Sequence, residues 1–217
     1  ARGEAYQSAA PGLWDVTFQT AVAQAELESR EYPGFYHRIA FHVVDSAAAA
    51  AAEAAGAPIE AGPGGTADIC VETTRPELLP ACVALVAHPD DERFKPLFGT
   101  TVASPVFGVE VPVLAHPEAE MDKGAGIAMC CTFGDTTDID WWRDLSLPLR
   151  AVLRRDGRLR SEVPEWIADS RGREVYRSMA GRTTFSAREA VVGELAATGE
   201  MRGEPTRTMR QTNFFEK

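Results

Sequence analysis

The stretch that decides the fold is ADICVETTRPELLPACVALVA, residues 67–87. Ile69–Thr74 and Cys82–Ala87 are rich in apolar and β-branched residues and are separated by a turn at Pro76, so each predicts a short strand. Three more segments of this kind follow at Thr101–Ser104, Val109–Leu114 and Gly126–Cys131. Short strands at regular spacing favour a closed or nearly closed β-barrel over a doubly wound sheet. Pro112 inside one of them predicts an edge strand or a bulge.

The segments on either side of this core are of mixed type. In Leu13–Glu28 apolar residues recur at helical spacing on one face, which predicts a helix. Phe35–Val44 predicts a strand, and Ser46 is expected to cap an alanine helix that ends near Ala55. Beyond the core we expect a strand over Arg150–Arg154 and helices over Thr137–Leu145, Ser170–Ala180 and Ser186–Ala197. The last helix opens with Ser186-x-x-Glu189, the pattern of a capping box.

The expected architecture is mainly β or α+β, with a β-barrel core, flanking helices and a helical C-terminal part. We expect three parts along the chain. Residues 1–66 supply a helix, a strand and the alanine-rich helix. Residues 67–155 form the barrel core and carry the functional site, and residues 156–217 form a basic helical part.

Charge is distributed unevenly along the 217 residues, whose formal net charge is −10. Residues 1–142 hold 7 basic and 21 acidic side chains, whereas residues 143–217 hold 15 basic and 11 acidic ones. The acidic half argues against nonspecific nucleic-acid binding driven by the phosphate backbone, which needs a broad basic surface. The basic half predicts an anionic partner, and only a small part of a nucleic acid is expected to be held.

Several other protein classes are also unexpected. No window approaches the ~18 consecutive apolar residues of a membrane helix, so we expect no membrane partner. The four cysteines form no C-x-x-C pair, and the first residues lack a secretory pattern, which predicts reduced thiols in a cytoplasmic protein. Cys130 and Cys131 are neighbours on a predicted strand, so one is expected to face inward and one outward.

We predict no metal site. His37 and His42 are five residues apart on a strand and therefore point to opposite faces. The acidic cluster of Asp135, Asp138 and Asp140 lacks the alternation and glycine of a calcium loop. Nucleophile elbows and phosphate-binding loops of the known patterns are also absent.

Two segments carry candidate binding groups. Thr73-Thr74-Arg75-Pro76-Glu77 stands where a strand meets a turn, a common location for such groups. Gly124–Asp138 contains small residues, an apolar strand and a Thr/Gly/Asp turn that opens a helix. Two interpretations of this turn remain open. Asp135 and Asp138 either bind a ligand, or they serve as the N-cap and the N3 residue of the helix.

Together these segments resemble the editing domain, or connective polypeptide insertion, of class I aminoacyl-tRNA synthetases for branched aliphatic amino acids. T-T-R-P-E, H-P-D-D-E-R at His88–Arg93, and G-x-G followed by a strand and an aspartate-containing turn occur in this order in the family. CTFGDTTDIDWW, Cys131–Trp142, is most similar to the valyl branch as it occurs in actinobacterial and archaeal-like enzymes. Phe185–Ala190 and Thr212–Lys217 are similar to the return of the chain toward the catalytic core. The H-I-G-H-like and K-M-S-K-S-like signatures for ATP chemistry are absent, so the resemblance implies the insertion alone.

The resemblance implies hydrolysis of mischarged threonyl-tRNA(Val) after transfer. A valine pocket rejects a hydroxyl-bearing isostere poorly, and valine against threonine is itself the standard illustration of this limit. The implied partners are the 3′ end of tRNA(Val) with its threonyl ester and the rest of the synthetase. No cofactor is implied for editing, since ATP and magnesium serve the absent catalytic core. An isoleucyl or leucyl editing domain, a noncatalytic tRNA- or protein-docking module and a phosphate-processing metalloenzyme remain alternatives.

The resemblance also implies roles for individual residues. Asp138 corresponds to the aspartate that anchors the substrate α-ammonium and helps detect the threonine hydroxyl, with Asp135 as a second acidic group. Thr73, Thr74 and Arg75 correspond to the threonine-rich element around the terminal adenosine and the attacked ester. Further substrate contacts are implied for Glu77, Cys131 and Thr132. A positioned water is expected to attack the ester, assisted by the adjacent ribose hydroxyl.

This chain departs from many bacterial relatives at four of these positions. Met129, Cys131 and Gly134 replace lysine, threonine and histidine, and Lys123 replaces an aromatic residue found in some relatives. Because a thiol replaces a threonine hydroxyl poorly, Thr132 is expected to take over part of the polar contact.

Overall fold

The computed structural model describes residues 11–23 and 27–215. The first described elements are the short strands β1 (Trp14–Asp15) and β2 (Thr20–Ala21), which pair as a hairpin. The predicted helix over Leu13–Glu28 is therefore wrong, although residues 24–26 lie outside the described residues. The Asp15 carboxylate accepts hydrogen bonds from the N–H groups of Thr17 and Phe18, and this local turn replaces the first turn of a helix.

Eight strands form the main sheet. They are β3 (Leu27–Val43), β4 (Ile59–Ala61), β5 (Ala67–Thr73), β6 (Ala84–Ala87), β7 (Thr101–Ala103), β8 (Glu110–Ala115), β9 (Ile127–Cys130) and β10 (Thr206–Phe215). Their order is β4-β5-β3-β7-β8-β6-β9, with β10 also paired to β3. Only β6 and β8 run parallel among these pairings.

The sheet is open and the described strands form no closed barrel, so that expectation is wrong, whereas the predicted α+β class is confirmed. Within the described chain, β9 pairs with β6 alone and no ladder joins it to β5, although the two strands lie in contact. Just after β9 the chain leaves the sheet, and the N–H groups of Cys131 and Gly134 bind a carboxylate rather than a neighbouring strand. Pro112 also differs from expectation, because it lies inside the sheet order, where β8 changes its pairing from β7 to β6.

Strand β3 joins two regions of different character. Its first half pairs with β10 in a two-stranded ribbon that runs from Leu27 opposite Phe215 to Tyr36 opposite Thr206. Its second half, His37–Val43, is largely buried and pairs with β5. The predicted strand over residues 35–44 is thus confirmed and extended, whereas β10 was not predicted, since its polar sequence forms a strand through pairing with β3.

The predicted helices after residue 45 are confirmed, but two of their caps differ. The helices are α1 (Ser46–Ala54), α2 (Thr136–Asp144), α3 (Ser170–Met179) and α4 (Thr184–Thr198). Asp45, not Ser46, caps α1, and Thr183 caps α4 in place of the predicted capping box. The strand predicted over Arg150–Arg154 is wrong, because its pairing is reduced to a single bridge between Leu153 and Leu159.

Two apolar clusters lie on opposite sides of β9. The larger one fills the space between the sheet, α3 and α4 and includes Cys131, while the smaller one contains Cys130 and Trp141. Both cysteines are therefore buried, and the expectation that one faces outward is wrong because α2 covers that side. In the described part of the chain, no helix has the length and apolar character needed to cross a membrane.

The predicted division of the chain at residues 66 and 155 stays a prediction. The three predicted parts are closely packed against one another in the fold. The second half of β3 pairs with β5, and α4 packs against a 3-10 helix at Pro76–Ala81 that follows β5.

Candidate functional site

The structure brings the two predicted segments into direct contact. Where β5 ends, the hydroxyl of Thr73 accepts a hydrogen bond of 3.0 Å from the Arg75 N–H, which fixes the turn. The Arg75 guanidinium then donates to the carbonyl of Gly134 over 2.5 Å. The end of β5 and the turn between β9 and α2 therefore form one unit, although 59 residues separate these two partners.

Asp138 lies at the centre of this unit. It is the N3 residue of α2, and only 6% of it is exposed. Its Oδ2 accepts from the N–H of Gly134 at 2.7 Å and from the N–H of Cys131 at 3.4 Å. No hydrogen bond of its Oδ1 is found among the described residues. The carboxylate is thus held through one of its two oxygens.

Asp135 performs the structural role that one interpretation gave it. It is the N-cap of α2, and its Oδ1 accepts from the N–H of Asp138 at 3.0 Å. Asp138 goes beyond a capping role, because its bonds to Cys131 and Gly134 close the preceding loop. A Cβ at Gly134 would lie 2.4 Å from Asp138 Oδ2, so this form of the turn favours glycine.

Burial changes the protonation of Asp138. Its pKa is raised to about 7, first by burial and then by the negative charge of Asp135, while the N–H bonds from Gly134 and Cys131 oppose this rise. A carboxyl with this pKa exchanges its proton near neutral pH, and a bound cation would favour its ionised form. Such a group in a polar turn is a candidate for function on physical grounds.

Glu77 supports the turn from behind. Its side chain is 1% exposed, and both of its oxygens accept from Arg188 of α4, at 2.8 and 2.7 Å. Its Oε1 also lies 3.5 Å from Nε of Arg75. His37 lies opposite Thr73 on β3, and burial together with the charge of Arg188 lowers its pKa. Two guanidinium groups therefore occupy the Glu77 carboxylate, and its predicted contact with substrate stays a prediction.

The remaining predicted residues occupy different positions around this turn. Thr132 is buried in the left-handed region, at φ 54°, and its hydroxyl lies 3.3 Å from the Ala81 carbonyl and 3.1 Å from the Arg150 N–H. The Cys131 thiol is buried, and burial raises its pKa well above the ordinary value. Thr74 is partly exposed beside Arg75. Substrate contacts of all three stay predictions.

A loop supported by the H-P-D-D-E-R stretch borders the turn. Arg93 donates to both carboxylate oxygens of Asp91, at 2.9 and 2.6 Å, and to the carbonyl of Met121 at 3.0 Å. The negative charge of Asp135 contributes to the raised pKa of Lys123, although the hydrogen bond to Glu120 is the larger cause. A cleft of about 730 Å³ adjoins this loop, lined by His88, Pro117 and residues 119–123.

Two features complete the description of the site. Across the described ranges, no group of three or more histidine, cysteine, aspartate or glutamate side chains is placed to hold a metal ion. Arg188 was not predicted as a partner of the site, because a contact across 111 residues leaves no local signal in the sequence.

The sequence was compared with known proteins. No family model matches it. It is 60% identical over all 217 residues to the valine–tRNA ligases of Bifidobacterium longum and Cutibacterium acnes, and 54% identical to that of Thermobifida fusca. The whole chain is covered in each case, but it spans only 22%, 23% and 22% of these relatives, respectively.

A solved structure matches the fold. The crystal structure of GlLeuRS-CP1 aligns with a TM-score of 0.52 and 12% identity, covering 77% of this chain and 98% of the other. At this identity the likeness establishes the fold alone, a mixed α+β arrangement with an open sheet. The predicted resemblance is confirmed: from end to end the chain matches one region of actinobacterial valine–tRNA ligases, and it has the fold of a CP1 domain.

Proposed function

We propose that this chain is the editing domain of a valine–tRNA ligase and hydrolyses threonyl-tRNA(Val). The observation that carries the proposal is the buried carboxylate of Asp138, which two backbone N–H groups hold by one oxygen while the other has no hydrogen bond from the described residues. The similarity to valine–tRNA ligases favours the valyl over the isoleucyl or leucyl alternative.

Asp138 binds the α-ammonium of the aminoacyl ester through Oδ1. An ionised acceptor and an ionised donor form a short, directional hydrogen bond, which orients the ester. Because the pKa of Asp138 is raised to about 7, the ammonium also pulls the carboxyl into its charged form on binding. The charge of Asp135 adds to the negative potential of the turn.

The end of β5 supplies the polar groups around the ester. The oxygen of Thr73 accepts from the Arg75 N–H, which leaves the hydroxyl proton of Thr73 to be donated. Arg75 uses Nη1 for the Gly134 carbonyl and retains other N–H groups for ribose or carbonyl oxygens. Hydrolysis proceeds by attack of a positioned water on the ester carbonyl, and the neighbouring ribose hydroxyl assists this attack.

Discrimination follows from the same turn. A second site that forms hydrogen bonds with the threonine hydroxyl rejects valine, because valine would leave the polar groups of the site without partners. In this arrangement the Oδ1 of Asp138 accepts one hydrogen bond from the α-ammonium and another from the threonine hydroxyl. The site then corrects the error that a valine pocket cannot avoid.

The test measures deacylation of threonyl-tRNA(Val) by the Bifidobacterium longum ligase in which the matching segment is replaced by this chain. Asp138→Asn is expected to reduce the deacylation rate at least 10²-fold, since the charged acceptor is lost. Asp140→Asn is the matched control, because Asp140 lies on the same helix and is paired with Arg143 at the surface. It is expected to keep the rate within twofold.

Three outcomes would overturn the proposal. Deacylation of valyl-tRNA(Ile) but not of threonyl-tRNA(Val) would assign the chain to the isoleucyl branch. Equal rates for the Asp138→Asn protein and the unmodified chimera would remove the role of the carboxylate. Binding of tRNA with no hydrolysis by either protein would support the noncatalytic docking module.

A further inference from the structure

A cluster of arginines forms a short hairpin that the proposed hydrolysis does not use. We name residues 150–160 the arginine hairpin; its sequence RAVLRRDGRLR contains five arginines and one aspartate. It turns at Asp156-Gly157, where Gly157 has a φ of 72°, and a bridge joins Leu153 to Leu159. The concentration of positive charge is unusual, since the whole chain carries a net charge of −10.

Most of these guanidinium groups point to solvent. Arg154, Arg155, Arg158 and Arg160 are all exposed. Arg154 is paired with Asp156 at 2.5 Å, but no ion pair of the other three is found in the described chain. Arg158 donates to the carbonyl of Gly181 at 3.1 Å. The hairpin therefore presents three charges that pair with no carboxylate of the described residues.

Neighbouring segments extend this surface. The exposed Arg182 lies beside the hairpin, because its carbonyl accepts from the N–H of Leu159 at 2.9 Å. From the other side, the indole N–H of Trp14 donates to the carbonyl of Arg155 at 2.8 Å. The Arg155 guanidinium lies 5.3 Å from the centre of the Trp14 ring, and 38% of this tryptophan is exposed.

The combination fits RNA better than an acidic protein surface. Guanidinium forks bind phosphate oxygens in pairs, and the strand of an RNA supplies phosphates at regular spacing. An exposed aromatic ring beside an arginine is also the usual platform on which an unpaired base stacks. The acidic remainder of the chain repels phosphates, so binding is expected to be confined to this surface.

The arginine hairpin begins at the proposed site. The Arg150 N–H donates to the hydroxyl of Thr132 at 3.1 Å, and its guanidinium donates to the Cys82 carbonyl. Thr132 belongs to the turn that presents Asp138. An RNA strand that ends at Asp138 can therefore continue toward the hairpin.

We propose that the arginine hairpin, Arg182 and Trp14 form a sequence-independent binding surface for the RNA backbone that leads to the 3′ end. The proposal rests on the proposed function for the direction of the strand, but the binding of RNA does not depend on hydrolysis. Phosphates bind the guanidinium groups of Arg155, Arg158, Arg160 and Arg182, and a base stacks on the exposed part of the Trp14 ring.

The test measures the affinity of this chain for a fluorescent single-stranded oligoribonucleotide ending in CCA, as a function of salt. A single phosphate contact contributes a slope of about −0.7 in log K against log salt for single strands. The triple variant Arg155→Gln/Arg158→Gln/Arg160→Gln is therefore expected to bind at least tenfold more weakly at low salt. Its salt dependence should be reduced by about two in slope, since three such contacts are lost.

Two control variants separate this surface from general effects. Arg171→Gln/Arg207→Gln removes two exposed arginines outside the hairpin and is expected to bind the oligonucleotide as the unmodified chain does. Asp138→Asn is expected to bind with unchanged affinity while losing deacylation. In the chimeric ligase, the triple variant is expected to raise KM at least fivefold with kcat unchanged.

The proposal fails if the triple variant keeps the affinity and salt slope of the unmodified chain, or if the control pair loses as much. It also fails if the unmodified chain binds anionic vesicles or polyglutamate but not the oligonucleotide. Loss of deacylation in Asp138→Asn together with unchanged RNA binding in the triple variant would refute this surface while leaving the proposed function intact.

Discussion

Replacement of Arg188 by methionine tests how the site is held in place. Arg188→Met leaves the Glu77 carboxylate, 1% exposed, without the two hydrogen bonds that Arg188 donates. Removing one partner of a buried ion pair costs about 3–5 kcal/mol. We expect the lower end, about 3 kcal/mol, because Arg75 remains 3.5 Å away and a quarter of the Arg188 side chain is exposed.

Thermal unfolding and denaturant titration measure this cost. For a protein of this size, 1 kcal/mol shifts Tm by about 2–4 °C, so a fall of about 6–12 °C is expected. The double variant Glu77→Gln/Arg188→Met is expected to recover about half of the loss, because it buries an amide rather than a charge. Arg171→Met is the matched control. This exposed arginine lies 3.6 Å from Glu194, and such surface pairs contribute about 0–1 kcal/mol.

The same variant tests positioning. With Arg188 absent, Arg75 is drawn to Glu77 and its hydrogen bond to the Gly134 carbonyl weakens. The deacylation kcat of the chimeric ligase is therefore expected to fall at a temperature where the variant is folded. A loss of stability below 0.5 kcal/mol, or additive effects of the Glu77 and Arg188 changes, would refute the reasoning.

Three further changes probe individual groups. The pKa of Asp138 is raised from 3.8 to about 7, so the folded state loses stability as pH rises from about 4 through 7. This loss is at most about 4 kcal/mol, and Asp138→Asn should remove it. Unfolding measured at pH 5 and 8 checks this. His42 lies between Asp68 and Glu200, and its pKa is raised to about 9. Its stabilising effect is therefore complete below pH 6.5 and lost by about pH 9. In His42→Gln, the free energy of unfolding should change less between these two pH values. Gly134→Ala is expected to lower the free energy of unfolding by about 1–3 kcal/mol and to remove most of the deacylation activity, because its Cβ would lie 2.4 Å from Asp138 Oδ2. Full activity would show that the turn adapts.

Local chemistry made α2, α3 and α4 predictable, and the same is true of the short strands. A capping residue directly precedes each helix, as Asp135 does for α2, although a different cap was predicted for α4, and each strand is bounded by turn residues. The N-terminal hairpin was missed because apolar spacing in residues 13–28 matches a helix, while a single carboxylate at Asp15 favours a turn. Strand β10 was missed because its partner, the exposed half of β3, is about 180 residues away.

The candidate site shows the same division between local and distant causes. The pairing of Thr73–Arg75 with Asp138 was proposed from family order and not from geometry, and the Arg75–Gly134 hydrogen bond now joins them. The closed barrel was wrong because strand patterns do not show which strands pair at the edges of a sheet. Sequence patterns identify strands but not which backbone N–H groups a buried carboxylate occupies, and here Asp138 takes those of Cys131 and Gly134.

The uneven charge of the chain has two structural consequences. Part of the basic half is internal: Arg150 and Arg188 extend into the acidic half, where they hold the Cys82 carbonyl and the Glu77 carboxylate. These arginines stabilise the turn that presents Asp138, and the charge of Arg188 contributes little attraction to an approaching anion because Glu77 pairs with it. Exposed arginines such as Arg155, Arg158, Arg160 and Arg182 remain available to an approaching phosphate, so the formal charge of the basic half overstates its exposed positive charge.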